Sequence, residues 1–182
     1  MPRLPLVPDD TPEPAVQEVF ERSHAEGREP IALYRALANH PGMLRAYAAL
    51  ARELRYEART PRALRELMIL RIGQLAGSEY EWAHHRAMAA AAGVPDEQVR
   101  ELAEWRTSER FGVAERAVLR CADELHDTAV SDAGWAELEG ALGRPEAVEI
   151  VLTGAFYELV ARLIQGFGLE VEPAYRRWLG PV

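Results

Sequence analysis

The sequence predicts an all-α fold, and three observations carry that prediction. Apolar residues recur three and four apart in one stretch after another, no stretch keeps the every-second-residue alternation of a half-buried strand, and proline and glycine punctuate the chain at intervals suited to short helices. A chain of 182 residues, 48% apolar and 27% charged, suits one compact domain. The expectation is an extended proline-rich arm over residues 1–14 followed by a single-domain helical bundle over residues 15–182, built on a central antiparallel helix pair.

Taken in order, the first fourteen residues, MPRLPLVPDDTPEP, hold five prolines. Proline lacks the backbone donor that a helix interior needs, so this stretch reads as an arm lying on the surface or on a neighbouring subunit. Val16, Val19 and Phe20 mark a short amphipathic helix from Ala15 to about His24, begun near Thr11 or Glu13 and ended by Gly27. A second short helix follows Pro30 through Ile31, Leu33, Tyr34 and Leu37. Asn39, His40, Pro41 and Gly42 form a break, and Pro41 suits the first position of the next helix. That helix runs from Met43 to about Glu57, with Leu44, Tyr47, Ala48, Leu50, Ala51 and Leu54 at helical spacing.

Thr60 and Pro61 suit the cap and first turn of the helix on which the chain is organised. It is apolar nearly all round, through Leu64, Leu67, Met68, Ile69, Leu70, Ile72 and Leu75, which marks a helix buried on most of its surface. Glu66 sits within it, and a buried carboxylate needs a partner, either an arginine such as Arg62 or Arg71 or a group in a functional site. Gly77 is the pivot, and beyond it SEYEWAHH places Tyr80 with His84 and Glu81 with His85, each pair four apart on one helix face. Counted from Gly77, Glu66 lies eleven positions before and His85 eight after. In an antiparallel pair that mismatch is roughly 4.5 Å of rise, so the carboxylate and the imidazole can meet directly or through water as an acid/base pair. His84 and His85 lie about 100° apart around the axis, so only one is expected to point squarely at a given pocket. Ser78 reads as an N-cap whose hydroxyl can face the pocket, Tyr80 and Trp82 as core or pocket wall, and Glu81 as a partner of His85 or Arg86.

Gly93 stops that second arm, and Pro95, Asp96 and Glu97 restart a helix through Leu102 and Trp105. A further amphipathic helix spans Gly112 to Thr128, and Ser131 and Asp132 open the next one through Trp135, Leu138 and Leu142. After Gly143, Arg144 and Pro145, the last strong element runs to about Phe167 and is apolar on too many faces for a surface helix. Its burial is expected to come in part from another subunit.

Composition excludes several function classes. A formal net charge of -8 with no basic stripe disfavours nucleic acid. Charge-free apolar runs reach eight residues, Ile150 to Tyr157, against the roughly 20 that span a bilayer, and no signal-peptide pattern opens the chain, so a cytoplasmic protein without membrane contact is expected. The single cysteine, Cys121, leaves no intrachain disulfide or cysteine metal cluster, and its apolar helical neighbours make it a core residue. Glu66, Glu81, His84 and His85 are ligand types, but their spacings are common ones and two of them are adjacent, so no metal is expected.

Three segments carry a family resemblance: Arg65, Glu66 and Leu67; the Tyr-Glu-Trp-x-x-His run of Tyr80, Glu81, Trp82 and His85; and Ala92 to Glu97. Here, most directly over residues 44–129, the chain resembles the carboxymuconolactone decarboxylase family, whose fold is shared with alkylhydroperoxidase D-like proteins. The upstream segment Asn39 to Gly42 is similar to one that members often carry. The peroxidase branch reads C-x-x-C-x-x-x-H with a glutamate twelve residues before the first cysteine. That pattern places the glutamate on Glu66 and the histidine on His85, but the cysteines on Ser78 and Glu81. The resemblance implies a cofactor-independent enzyme that performs decarboxylation or lactone and lyase chemistry on a small organic acid, with Glu66 and His85 managing protons. It also implies a trimer or hexamer. Arg62, Arg65, Arg71 and Arg86 are the cations nearest in sequence for an anionic substrate. Two other readings stay open: the peroxidase-type antioxidant activity attached to the family, and a non-catalytic oligomeric ligand-binding protein.

Overall fold

The computed structural model describes residues 2–180. Residues 1, 181 and 182, which the expected arm and bundle include, lie outside the described residues. Among the described residues there are nine α-helices and no β-strand. They are α1 (Pro14–Ala25), α2 (Ala32–Leu37), α3 (Pro41–Arg52), α4 (Arg62–Leu75), α5 (Glu79–Ala91), α6 (Asp96–Arg100), α7 (Val113–Asp127), α8 (Asp132–Leu142) and α9 (Arg144–Phe167). A π-helical turn, Glu53–Glu57, extends α3, and a 3-10 turn, Arg176–Trp178, lies near the C-terminus.

Helix α4 is the axis of the fold. Every residue from Leu64 to Gly73 is buried, because α5, α7 and α9 pack around it. Leu67, Met68, Leu70 and Ile72 have no exposed surface, and enclosing such side chains contributes about 1.5–3 kcal/mol each. The turn to α5 is tight. Gly77 takes a left-handed φ of 61°, while Ser78 N donates to Gly73 O at 2.8 Å and Gly77 N to Gln74 O at 3.2 Å, the paired bonds that satisfy the last carbonyls of a helix. Gly73 lets the two helices approach, since a Cβ there would lie 3.3 Å from the Cβ of Glu81. Arg62 reaches Met88, Glu66 reaches His85, and Gly73 faces Glu81. This descending register makes α4 and α5 antiparallel, as expected.

Two local expectations are corrected. Thr60 does not cap α4: its hydroxyl and N–H both donate to Glu149 on α9, at 2.6 and 2.8 Å, and Pro61 holds the cap position without a side-chain bond. A carboxylate brought by a distant helix outcompetes the local cap because it accepts from Arg59 N as well. The helix from residue 43 to 57 is also not uniform. It opens at Pro41, as its sequence suits, with His40 accepting from Met43 N at 3.4 Å, but it widens into the π-helical turn after Arg52. Such a turn shifts the helical phase, and Arg55 enters the interior there.

The arm lies on its own chain rather than reaching away. Arg3 donates through N and Nη1 to Phe167 O and Gly166 O, at 2.8 and 2.9 Å, supplying partners to carbonyls at the end of α9. Val7 exchanges hydrogen bonds with Arg35 on α2, and Asn39 donates to Pro5 O. No helix of the described residues is long and apolar enough to cross a membrane.

Candidate active site

The hydrogen bonding of Glu66 sets the chemistry of the α4/α5 pair. Arg62, one turn earlier, donates Nε to Glu66 Oε1 at 2.5 Å, and His85 Nδ1 lies 2.8 Å from Glu66 Oε2. Burial works against the charge of Glu66, but the His85 and Arg62 interactions outweigh it and hold the carboxyl below its ordinary value. Burial likewise lowers His85, against the pull of Glu66. At neutral pH the pair is thus an ionised carboxylate and a neutral imidazole, which requires the Nδ1 proton to be shared with Glu66 and leaves Nε2 as a bare base.

That Nε2 faces Glu81 Oε2 at 3.7 Å, too far for a hydrogen bond. Glu81 Oε2 is buried and has no hydrogen-bond partner. Burial pushes Glu81 up to about 8, with Arg55 opposing and Glu66 and Glu172 adding to the shift. At pH 7 the protonated form of Glu81 is therefore favoured. The result is a line of groups in graded states: Arg62 cation, Glu66 carboxylate, neutral His85, and Glu81 acid.

His85 and Glu81 open onto a cavity of about 60 Å³, room for roughly four to six waters. It lies where α1, α2, α3, the π-helical turn, α5 and the C-terminal segment meet. Tyr34, Tyr47, Arg55, Tyr80, His84 and Tyr175 also line it. Both adjacent histidines thus face one cavity, which corrects the expectation that one alone would. The 100° between them is spanned by curvature of the wall: His85 is seated deep against Tyr157, with ring centroids 4.8 Å apart, while His84 lies between Tyr80 and Tyr175 at 4.3 and 3.6 Å. His84 Nε2 lies 2.7 Å from Glu172 Oε2, and Tyr80 donates to Glu172 Oε1 at 2.7 Å.

Glu66, Tyr80, Glu81, His84 and His85 are brought together. Ser78 and Trp82 are not. Ser78 caps α5, accepting from Glu81 N at 3.4 Å, and Trp82 packs with Leu67, Leu70 and Trp105 in a separate apolar cluster. Of the two partners expected for Glu81, His85 faces it at 3.7 Å, whereas Arg86 turns to Asp96 at 3.1 Å. Of the arginines expected to meet an anion, Arg62 holds Glu66, Arg71 holds Asp123 at 2.6 Å, and Arg65 donates to the carbonyls of Thr60 and Leu54. Among the described residues, the cation that lines the cavity without a carboxylate partner is Arg55. It lies past the end of α3, in the π-helical turn, and had no local sequence signal. Glu172 and Tyr175 had no local signal. Glu66, Glu81, His84 and His85 do not bring one ligand atom each to a common point.

The fold agrees with the comparisons to known proteins. Residues 41–124 match the model of the Carboxymuconolactone decarboxylase family. No curated protein is similar enough in sequence to be matched to the chain. Among solved structures, the debrominase Bmp8 in complex with 2,3,4-tribromopyrrole is similar, with TM-score 0.80 and 21% identity over 98% of this chain and 97% of that one. An uncharacterized peroxidase-related protein with an alkylhydroperoxidase AhpD core from Ralstonia eutropha JMP134 is similar at TM-score 0.77 and 20% identity, over 100% and 97%. One from Silicibacter sp. TM1040 gives 0.80 and 18%, over 96% and 93%. At these identities the likeness is one of fold.

Proposed function

With residues 41–124 of the carboxymuconolactone decarboxylase family and the whole chain in the alkylhydroperoxidase D-like fold, we propose that this protein is a cofactor-independent acid/base enzyme of decarboxylase or lyase type, acting on a small organic acid. The observation that carries this reading is the pairing, across one wall of the cavity, of His85 Nε2 with the buried, unpartnered Glu81 Oε2 at 3.7 Å. Glu66 fixes the tautomer of His85, so that Nε2 accepts a proton; Glu81 supplies one to carbon as charge develops there. In a decarboxylation the C–C bond breaks, its electron pair stays on the substrate carbon, and the Glu81 proton quenches it. Solvent then restores the proton to Glu81 through His85.

A thiol peroxidase reading lacks support, because the two positions that the family pattern gives to cysteine, Ser78 and Glu81, carry no thiol. Cys121 is fully buried in the core formed by α4, α7 and α9, and burial pushes its thiol up to about 12. The same proposal takes residues 15–182 as one domain, the protein as cytoplasmic, and its functional form as a trimer or hexamer. Support for the oligomer is the row Val148, Leu152 and Leu159, exposed along one face of α9.

The test is hydrogen exchange into carbon. Incubation with muconolactone-type lactones and β-oxo acids in deuterated buffer is expected to give product, or substrate exchanged at carbon, followed by proton NMR. Glu66→Gln and His85→Gln are expected to reduce that rate by about 10²–10⁴. Rates unchanged in both variants overturn the assignment.

A further inference from the structure

Arg22, Arg28, Arg52 and Arg55 line the cavity. The first three are matched by carboxylates at its mouth: Arg22 by Glu18 at 3.1 Å, Arg28 by Glu26, and Arg52 by Glu57 at 2.8 Å. Arg55 differs. Its partners are two phenols, Tyr157 accepting from Nε at 3.3 Å and Tyr34 from Nη1 at 3.5 Å. A phenol oxygen that accepts from a guanidinium keeps its own proton to donate. Beside it, the Tyr47 hydroxyl is buried and has no hydrogen-bond partner. Burial pushes Tyr157 up to about 12 and raises Tyr47 well above its ordinary value, so both remain donors at neutral pH.

A half-buried guanidinium whose side-chain partners are neutral phenols, next to a buried hydroxyl with no partner, is a set of donors that an anion completes. We infer that Arg55, with the Tyr34 and Tyr47 hydroxyls, is a carboxylate-binding subsite that holds one carboxylate of a small organic acid and turns the rest of the molecule toward Glu81 and His85. The inference rests on the acid/base reading for what happens next, but not for the binding itself. A guanidinium matches a carboxylate in shape and charge, which neutral lactones or amides do not.

Calorimetry with crotonate, furoate and benzoate, each against its neutral amide, tests the subsite. At least one acid is expected to bind, and its amide to bind at least about tenfold more weakly. Arg55→Met is expected to weaken the acid about tenfold to a hundredfold while leaving the amide unchanged, and Arg55→Lys to recover part of the loss. Melting curves identify a variant that is merely unfolded, in which case Tyr47→Phe, which removes one hydroxyl, gives the reading by a smaller loss of acid affinity alone. Acids and amides bound equally, affinity indifferent to Arg55→Met and Tyr47→Phe, or no acid bound at all overturns the inference. Acid binding that depends on Arg55, with no exchange or turnover affected by Glu66→Gln and His85→Gln, instead overturns the enzyme reading and leaves the subsite standing.

Discussion

At the residue scale, the state of Glu81 decides how the site responds to pH. A carboxyl whose folded value is raised to about 8 binds its proton more tightly in the folded protein than in the unfolded chain. Its folded state is therefore favoured most below about 4.5, and that advantage is lost as pH rises from there toward 8. Glu81→Gln removes the ionisation, so its melting temperature is expected to fall less than that of the parent between pH 5 and 9, as differential scanning fluorimetry measures. Catalysis follows the same group: the parent's rate is expected to drop above about pH 8, and Glu81→Gln to lose that alkaline limb together with most of its turnover. Glu66 has the opposite sign. Its lowered carboxyl stabilises the fold above the ordinary carboxylate range, and this contribution is lost as pH falls below it, where protonation breaks the contacts to Arg62 and His85. The charge state of Glu81 answers to Arg55, Glu66 and Glu172 together, with Tyr47, Tyr80 and Tyr157 near it as neutral groups.

At the element scale, the close approach of α4 to α5 at Gly73 holds the acid and the imidazole in register. Gly73→Ala inserts a methyl 3.3 Å from the Cβ of Glu81, so the helices must part by a few tenths of an ångström. Activity is expected to fall more than about tenfold while the melting temperature moves little, because small displacements at reacting groups cost more in rate than in packing. Gly77→Ala acts differently. It forces a side chain into a left-handed φ of 61°, and a loss of about 1–2 kcal/mol in chemical denaturation is expected, with the activity per folded molecule kept. The register between the two arms was legible from positions 66 and 85 around Gly77, since helical rise and axis spacing are the same in any helix pair. The inward turn of Arg55 was not, because it depends on the π-helical turn, and a phase change of that kind leaves no pattern in a run of residues that suits an ordinary helix.

At the scale of the whole molecule, the cavity is closed by parts far apart in the chain. Glu172 joins α5 to α2, accepting from Tyr80 and Ala32 N and pairing with His84, and Tyr175 stacks on His84. Glu172→Ala is expected to loosen the segment after α9 and raise its cleavage by trypsin at Arg176 and Arg177, with the helical circular dichroism spectrum unchanged. Cys121 reports on the opposite extreme. With no exposed surface, its thiol is expected to react with a disulfide reagent only at the rate of global unfolding. On the outer face of α9, Leu152→Glu is expected to lower the mass measured by light scattering if Val148, Leu152 and Leu159 are covered by a second copy.

The sequence by itself determined the helical class, the buried central helix, the turn at Gly77 and the meeting of Glu66 with His85. All of these follow from local periodicity and from the fixed geometry of two consecutive helices. Tertiary structure alone decided that Thr60 serves α9, that both histidines share one cavity, that Ser78 and Trp82 stand outside it, and that Arg55 supplies its cation. Those outcomes depend on which distant helix supplies the better partner, and competition between partners far apart in the chain is settled by packing rather than by spacing.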